Sequence, residues 1–463
     1  MTTTTNPSDF VPLDPDTGFS LNPEFVAEVV DAIARHDVNV ARNLVYPLPA
    51  PDQAELFEQL SHDARHWLTE AIAADFDSDM LAELSHDAVE DVIDALGPEK
   101  SAEVLAELET DDAVHILEDL TVHAQQELLE GMPQDARAEV EESLTYAEDS
   151  AGRLMRKSLV AVPEFWTVGD TIDFLRGADT LPEYFYVIYT VNPQFVPTGR
   201  VLLGTILANK REVPLEAIRS ETIYAVSPET DQEEVAYLFR KYGLVEAPVV
   251  DHAGHLVGTI TVDDVVDVIE EEDAEDYLRA GGVSEQDFQS SVWETARARF
   301  GWLFLNLLTA VLASAVISMF EHTIEKIVAL AVMMPMVASM GGNTGTQTVT
   351  VAVRAIATRQ LTDANSWAYI RKEMWIGGLN GAGLGLVMAL GVYAFFTDVK
   401  LALVMLLAAT ATMTMAGLWG ALIPIYLHRR GFDPAISSTI FLTTVTDCVG
   451  FLSFLGLAAL ILM

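Results

Sequence analysis

The residues of this sequence with the clearest chemical potential lie in its last apolar segment, residues 435–462. Thr443, Thr444 and Asp447 fall within it, and Asp447 is its only charged side chain. The segment is long enough to cross a hydrocarbon core of about 30 Å. A carboxylate at that depth is costly unless it faces water, an ion or a partner. We therefore expect Asp447 to lie on an ion pathway; the alternative is an acid buried against a neighbouring helix.

A second apolar segment carries polar groups at membrane depth, in the stretch PMVASMGGNTGTQ at residues 335–347. Its glycines predict local unwinding, and Asn343 offers an oxygen beside it; the alternative is close helix packing through small residues. For Gly378, Gly381 and Gly385 we favour close packing. A symmetric dimer would place two Asp447 carboxylates on its axis. The candidate pore ligands are Asp447, Thr443, Thr444 and Asn343.

A run of acids at residues 263–276 is the third feature. Apolar residues at 265, 266 and 269 predict a helix there, on which like charges four residues apart repel one another. A divalent cation would turn that repulsion into attraction, and Mg²⁺ prefers carboxylates and water. The alternative is a solvated linker helix. The candidate regulatory ligands are Asp263, Asp264, Asp267, Glu270, Glu271, Glu272, Glu275 and Asp276.

Charge divides the 463 residues into two parts. Residues 299–463 hold nine Lys or Arg and seven Asp or Glu, whereas residues 1–298 hold 17 and 62. An acidic soluble part joined to a nearly neutral apolar part indicates a multi-pass membrane protein. Such acidity excludes nucleic acid as a partner and favours cations. One cysteine, Cys448, excludes disulfides within the chain and fits a reducing compartment.

Loop charges predict the orientation in the membrane. Five apolar segments lie at about residues 302–320, 324–353, 374–397, 400–426 and 435–462. Eight basic residues fall on one side of them and only Lys326 and Lys400 on the other. Because basic loops stay in the cytosol, the N-terminal part is cytosolic and the C-terminus extracytoplasmic. We expect the cell inner membrane as the location.

The remaining pattern divides the chain into domains. Residues 1–20 read as disordered, and residues 21–145 as an all-α solenoid with a repeat of about 11 to 14 residues. Residues 146–270 alternate between α and β in two similar passes, with strands expected at 201–207 and 223–226. Residues 271–298 read as a connecting helix and residues 299–463 as a five-helix transmembrane domain.

The α/β part resembles a tandem pair of CBS domains, which are regulatory modules. The resemblance rests on PVVDHAGHLVGTIT at residues 248–261. In CBS domains a Thr followed three residues later by Asp can hold a nucleotide ribose, and Thr261 and Asp264 match that pair. The first repeat has Leu207 and Lys210 instead. ATP is therefore a possible ligand that this pattern supports weakly.

The whole chain resembles the MgtE family of magnesium channels. The signatures are the stretch at residues 335–347, TVDDVVDVIEEE at residues 261–272, and Thr443, Thr444 and Asp447. The resemblance implies a homodimeric channel for Mg²⁺ uptake, with Asp447 in the pore. It also implies that cytosolic Mg²⁺ binds between acidic faces of the helical domain, the CBS domains and the connecting (plug) helix and closes the pore.

Two other functions stay open. One is transport of another divalent cation, such as Co²⁺ or Mn²⁺. The other is a membrane sensor that conducts no ions. An enzyme is not expected, because the sequence offers neither a nucleophile with its base nor a phosphate-binding loop.

Overall fold

The structure, a computed structural model, describes residues 20–178, 181–182, 184–281, 283, 292–432 and 434–463. The chain divides into two compact units, Met1–Ile269 and Glu270–Met463. All but the last residue of the predicted disordered N-terminus lies outside the described residues. Each unit is described by itself.

The described residues of the first unit begin with ten short α-helices. They are α1 (Pro23–Ala34), α2 (Val38–Val45), α3 (Ala50–Glu58), α4 (His62–Ile72), α5 (Ser78–Ala82), α6 (His86–Leu96), α7 (Pro98–Glu107), α8 (Thr110–Asp119), α9 (Val122–Gly131) and α10 (Gln134–Ser143). Helices of this length are marginal alone, so each one depends on the stripe it buries. Large side chains such as Phe57, Leu68 and Leu117 share one continuous core. The predicted helical repeat is confirmed in α6 to α10.

Two small sheets follow, with short helices between them. The elements are α11 (Ala151–Leu154), β1 (Ala161–Pro163), α12 (Val168–Gly177), β2 (Val187–Val191), β3 (Pro197–Leu202), α13 (Leu203–Ala208), α14 (Gln232–Tyr242), β4 (Glu246–Val250) and β5 (Leu256–Thr261). Strand β2 pairs in parallel with β1 and antiparallel with β3, and β4 pairs antiparallel with β5.

Two predicted strands are wrong in detail. The strand expected at 201–207 ends at Leu202, and the rest of that stretch is the helix α13. Short apolar runs fit a buried strand or a buried helix equally well, so their periodicity does not separate the two. The strand expected at 223–226 is reduced to a single parallel bridge from Val226 to Val249.

The predicted helix in the acidic run is confirmed as α15 (Val262–Gly281). The next described helix, α16 (Val292–Ser318), enters the apolar part. The domain boundaries predicted at 270/271 and 298/299 fall inside these two helices. Neither boundary therefore marks a break in secondary structure.

The second unit continues with α17 (Glu321–Lys326), α18 (Ala329–Ala357), α19 (Ser366–Phe396), α20 (Val399–Arg429) and α21 (Pro434–Leu462). The described residues include four helices long and apolar enough to cross a membrane, within α16, α19, α20 and α21. Helix α18 has a similar length but carries the polar stretch of residues 335–347. It contacts α20 and α21 along its length.

The predicted unwinding of α18 is wrong. The helix runs without interruption through Pro335 and through the glycines of residues 341–345. Two of those glycines serve close packing: a Cβ at Gly341 would lie 2.7 Å from Thr412 Cγ2, and one at Gly345 would lie 2.8 Å from Leu442 Cδ1. Small residues allow such approach where the bilayer gives helices no hydrophobic reason to associate.

The close packing expected for the glycines of α19 is confirmed. A Cβ at Gly381 would lie 2.9 Å from Thr410 Cα, and one at Gly385 would lie 3.0 Å from the Leu406 carbonyl oxygen. Gly378 approaches the Thr414 hydroxyl of the same neighbour, α20. The approach of the two helices at Gly377 is closer still, because a Cβ there would lie 2.3 Å from the Met413 carbonyl oxygen.

We expect Gly377→Ala to destabilise the protein, because the new methyl group would force the α19 and α20 backbones apart. Overpacking of this kind costs about 1–3 kcal/mol. Gly383→Ala is the matched control on the same helix, since no atom lies within 4 Å of its Cβ position. Thermal unfolding in detergent should show a lower midpoint for Gly377→Ala alone. Equal midpoints for the two variants would contradict the packing argument.

Candidate functional site

The candidate pore residues lie where α18, α20 and α21 converge. Helices α18 and α21 run antiparallel, with Gly345 against Leu442 and the Cβ position of Gly341 4.0 Å from Thr446 Cβ. The side chain of Thr412 of α20 packs at the same crossing, and its Cγ2 atom lies 3.3 Å from the Cβ position of Gly450. The three helices therefore meet through small residues next to Asp447.

Asp447 lies on α21 directly after the buried Thr446 and is itself half-buried. Two neighbouring hydroxyl groups are used within the helix: Thr444 donates to the Ile440 carbonyl oxygen at 2.8 Å, and Thr446 donates to that of Thr443 at 3.2 Å. Thr443 is exposed in the single chain. Because they are four residues apart, Thr443 and Asp447 lie on one side of α21.

Asn343 occupies a different face. It follows Gly341 by two residues, which on a helix turns its side chain about 200° away from the α21 contact. It is exposed in the single chain, as is Gln347 one turn later. The structure thus places three candidates together on α21 and the fourth on a separate exposed face of α18.

Sequence reasoning missed two membrane residues. Thr412 is 1% exposed, and its hydroxyl group has no hydrogen-bond partner among the described residues. Glu373 is 9% exposed and lies one residue before the start predicted for the third apolar segment. A lone acid beside an apolar run was the available signal for Glu373. A threonine in an apolar helix gives no such signal.

In the first unit, the basic residues of the segment 153–157 pair with acids of the helical domain. Lys157 contacts Glu142 at 2.9 Å, and Arg153 contacts Glu118. The third, Arg156, is 12% exposed. These pairs join the α/β part to the helices that precede it.

Arg156 is surrounded by three carboxyl groups. Its Nε donates to Asp111 Oδ2 of α8 at 2.9 Å, and its Nη2 donates to Asp263 Oδ2 of α15 at 3.1 Å. The same Nη2 donates to Asp264 Oδ1. One guanidinium therefore connects the helical domain to the start of the acidic helix.

Asp264 was predicted as a regulatory ligand and as half of a nucleotide-binding pair. Its Oδ2 accepts hydrogen bonds from the Thr261 backbone N–H at 3.2 Å and from the Thr261 hydroxyl at 2.6 Å. Thr261 is buried. Both residues predicted to bind a nucleotide are therefore engaged with each other, and a ribose would compete with Thr261 and Arg156.

Burial and crowding perturb the acids around Arg156. Burial, reinforced by the charges of Asp264 and Asp112, raises the pKa of Asp111 well above its ordinary value. Burial also raises the pKa of Asp112 to about 6. Burial raises the pKa of Glu83, with the charges of Asp267 and Asp79 adding to it. Asp111 is 8% exposed, and its Oδ1 has no hydrogen-bond partner among the described residues.

The sequence pattern identified none of Glu83, Asp111, Asp112 and Arg156. The adjacent acids of α8 were the one local signal. Their relation to Asp264 depends on tertiary contacts between residues more than a hundred positions apart.

The other candidate regulatory acids form a charged helix face. Asp263, Asp267, Glu270 and Glu271 are exposed, whereas Glu272 and Glu275 are half-buried, and Glu275 pairs with Arg279. The side chain of Asp276 lies outside the described residues. In the part of the chain that the structure describes, no three His, Cys, Asp or Glu side chains are grouped so that they could hold a metal ion. This face suits Mg²⁺ that keeps part of its water.

Comparison with known proteins agrees with this architecture. Residues 48–149 match the MgtE intracellular N domain, residues 215–271 match the CBS domain, and residues 334–457 match the MgtE family described as divalent cation transporters. The chain is 38% identical over 325 residues to the magnesium transporter MgtE of Thermus thermophilus, which covers 68% of this chain and 71% of the relative. The chain belongs to the MgtE family.

Two further matches are proteins named MgtE. The magnesium transporter MgtE of Enterococcus faecalis is 31% identical over 317 residues, covering 68% of this chain and 70% of the relative. A solved structure of the cytosolic domain of the Mg²⁺ channel MgtE in complex with ATP is 31% identical. It covers 52% of this chain and 99% of its own, with a TM-score of 0.49. The MgtE family is one of membrane ion transporters and is not an enzyme class.

We expect Asp112→Asn to stabilise the first unit at neutral pH. The folded chain holds the Asp112 proton up to about pH 6, whereas the ordinary pKa of an aspartate, which applies to the unfolded chain, is 3.8. Stability is therefore lost as the pH rises from about 4 to 6, by on the order of 3 kcal/mol. Asparagine removes this loss, so the variant should exceed the parent in stability at pH 7.5 and not at pH 4.

Urea denaturation of the full-length protein at the two pH values measures the difference. Glu107→Gln, at an exposed acid on α7, is the control. A stability difference between Asp112→Asn and the parent that is the same at pH 4 and pH 7.5 would show that the titration of Asp112 is not its cause.

Proposed function

We propose that this chain is a channel that carries Mg²⁺ across the cell inner membrane into the cytosol and that cytosolic Mg²⁺ closes it. The observation that carries the proposal is Asp447, a half-buried carboxyl group on α21 at the small-residue crossing of three helices in a member of the MgtE family. The names of the curated relatives support Mg²⁺ as the cargo.

The pathway requires two copies of the chain. One Asp447 supplies a single carboxylate, which is a weak site for an ion that prefers several oxygen ligands. A twofold axis beside α21 would bring a second Asp447 opposite the first, with Thr443 and Thr444 about one turn away. The exposed face of α18 with Asn343 would then border the same passage. Mg²⁺ would cross at least partly hydrated, because it sheds water reluctantly.

The acids of the first unit and of α15 form the proposed sensor. Without divalent cations, repulsion among these acids separates the cytosolic parts and leaves the pore free to open. Bound Mg²⁺ reverses the repulsion and selects the closed arrangement, which is a shift of population by differential binding. Asp111, Asp112 and Glu83 join the acids predicted from the sequence. ATP remains a weakly supported ligand, because Thr261 and Asp264 are already paired.

The rival functions predict different results in one assay. Purified protein in liposomes containing a Mg²⁺ indicator should take up Mg²⁺. Faster flux of Co²⁺ or Mn²⁺ in the same vesicles would favour another cargo, and no flux of any divalent cation would favour a sensor that conducts no ions. The cytosolic N-terminal part and extracytoplasmic C-terminus are tested by protease access to the first unit in oriented vesicles.

We expect Asp447→Asn to reduce Mg²⁺ flux to that of protein-free liposomes. Asparagine has nearly the same shape but removes the charge that attracts the cation. Asp363→Asn, which neutralises a strongly exposed acid of the same unit, should keep the parental rate. Size-exclusion profiles check that both variants fold. Parental flux in a folded Asp447→Asn protein would refute the pore assignment.

We expect Asp264→Asn combined with Asp267→Asn to raise the internal Mg²⁺ concentration needed for closure. The two carboxylates lost would otherwise be neutralised by the bound ion, so closure gains less from binding. A rise of about tenfold corresponds to about 1.4 kcal/mol of lost coupling. Patch-clamp recording with graded internal Mg²⁺ measures it. Glu216→Gln, at an exposed acid outside α15, is the control, and an equal shift in that variant would reject the sensor assignment.

A further inference from the structure

Helix α19 contacts one residue of α18 at two points. The Tyr369 hydroxyl group donates to the Thr348 carbonyl oxygen at 3.5 Å. The Thr348 hydroxyl group lies 3.2 Å from Glu373 Oε2 and 3.1 Å from the Thr344 carbonyl oxygen of its own helix, so its one proton is shared between these two acceptors. Tyr369 and Glu373 are four residues apart, so both side chains project from the same face of α19. Thr348 is therefore connected to α19 through its backbone and through its side chain.

Glu373 is a buried acid on a membrane helix. It is 9% exposed, and its partner among the described residues is Thr348. The facing helices offer no opposite charge at this level: α18 carries none before Arg354, and α20 carries none between Lys400 and His428. A buried polar group is costly without its hydrogen bond, so the contact with Thr348 constrains both helices.

The backbone at Glu373 is packed closely against α20, so α19 cannot shift there without a clash. A Cβ at Gly417 of α20 would lie 2.5 Å from the Glu373 carbonyl oxygen. One turn later, a Cβ at Gly420 would lie 2.9 Å from both the Gly345 carbonyl oxygen and Thr348 Cβ. Helix α20 thus packs tightly against Glu373 on one side and Thr348 on the other. The carboxyl group reaches α18 from a fixed backbone.

We propose that Glu373 is a positioning residue for Mg²⁺ transport, which sets the rotation of α18 about its own axis through Thr348. Asn343 lies five residues before Thr348, about 7.5 Å along the helix. A rotation of α18 turns the exposed face of Asn343 and Gln347 with it. This inference rests on the proposed transport function and adds an α19 residue to the pathway helices α18 and α21.

The test uses full-length protein in liposomes and measures Mg²⁺ flux against Mg²⁺ concentration. We expect Glu373→Ala and Thr348→Val each to raise the half-saturating concentration by about tenfold, and the double variant to raise it no further, because both remove one contact. Glu373→Gln keeps a hydrogen-bonding group in place and should stay within about twofold of the parent. Thr350→Val is the control: Thr350 is exposed on the same helix, and its hydroxyl group donates to the Thr346 carbonyl oxygen.

Three results would overturn the proposal. The first is a Glu373→Ala protein in which only the maximal rate per folded protein is lower, as in a general loss of structure. The second is full addition of the effects of Glu373→Ala and Thr348→Val in the double variant. The third is a Glu373→Gln protein as impaired as Glu373→Ala, which would mean that the charge itself matters.

A second readout needs no transport. Cys448 is the only cysteine of the chain, so Cys448→Ser combined with Asn343→Cys leaves a single thiol on the exposed face of α18. A rotation of α18 should change the rate at which a maleimide labels that thiol in Glu373→Ala and not in Glu373→Gln. If the parent protein carries no Mg²⁺, the proposed function fails, and the labelling rates still decide whether Glu373 positions α18. Equal labelling rates in Glu373→Ala and the parent would reject that role.

Discussion

The mutual repulsion of carboxylates is the constraint on which the first unit depends. Residues 1–269 hold 53 acids and 15 basic residues, so folding brings like charges together wherever helices pack. At the start of α15, one guanidinium group offsets part of this repulsion, because Arg156 contacts Asp111, Asp263 and Asp264 at once. One positive charge among three carboxylates and the nearby Asp112 leaves the group negative. Burial is the largest cause of the raised pKa values of Asp111 and Asp112, and the surrounding negative charge adds to it.

The second unit depends on a different constraint, which is how apolar helices associate within a bilayer. In the bilayer, helices gain little from apolar contact, so they associate where small residues allow close approach of their backbones. Glycines at 377, 381, 385 and 417 join α19 to α20, and those at 341 and 345 place α18 against its neighbours. Close backbones also bring together the few polar side chains of these helices. Glu373 with Thr348, and Thr412 beside Gly450, are products of that packing.

Local patterns in the sequence predicted most of the fold. They did not predict contacts between residues that are far apart in the sequence. The repeat of α6 to α10 and the acidic helix α15 follow from periodicity and charge within a few turns. The isolated charge of Asp447 in an apolar segment is equally local. Arg156 was missed because its partners are 45 and 108 residues away, and no spacing rule connects them. The unwinding predicted for the glycines of α18 is wrong, since a sequence shows that a residue is small but not which helix it contacts.

For the proposed closure by cytosolic Mg²⁺, many weakly held ions fit the acidic surfaces better than one tightly held ion. Moving a two-state equilibrium from 1:99 to 99:1 requires about 5.5 kcal/mol of differential binding. A single chelating site would have to supply all of it, and the described residues group no three ligands for such a site. Exposed acids along α15 and half-buried acids near Arg156 can instead bind several hydrated ions. Each ion contributes about 1.4 kcal/mol if it binds the closed arrangement tenfold more tightly than the open one. The proposed closure would then depend steeply on Mg²⁺ concentration, because every bound ion favours the same arrangement. Arg156 would lower the negative charge that Mg²⁺ has to neutralise, since it already neutralises part of it.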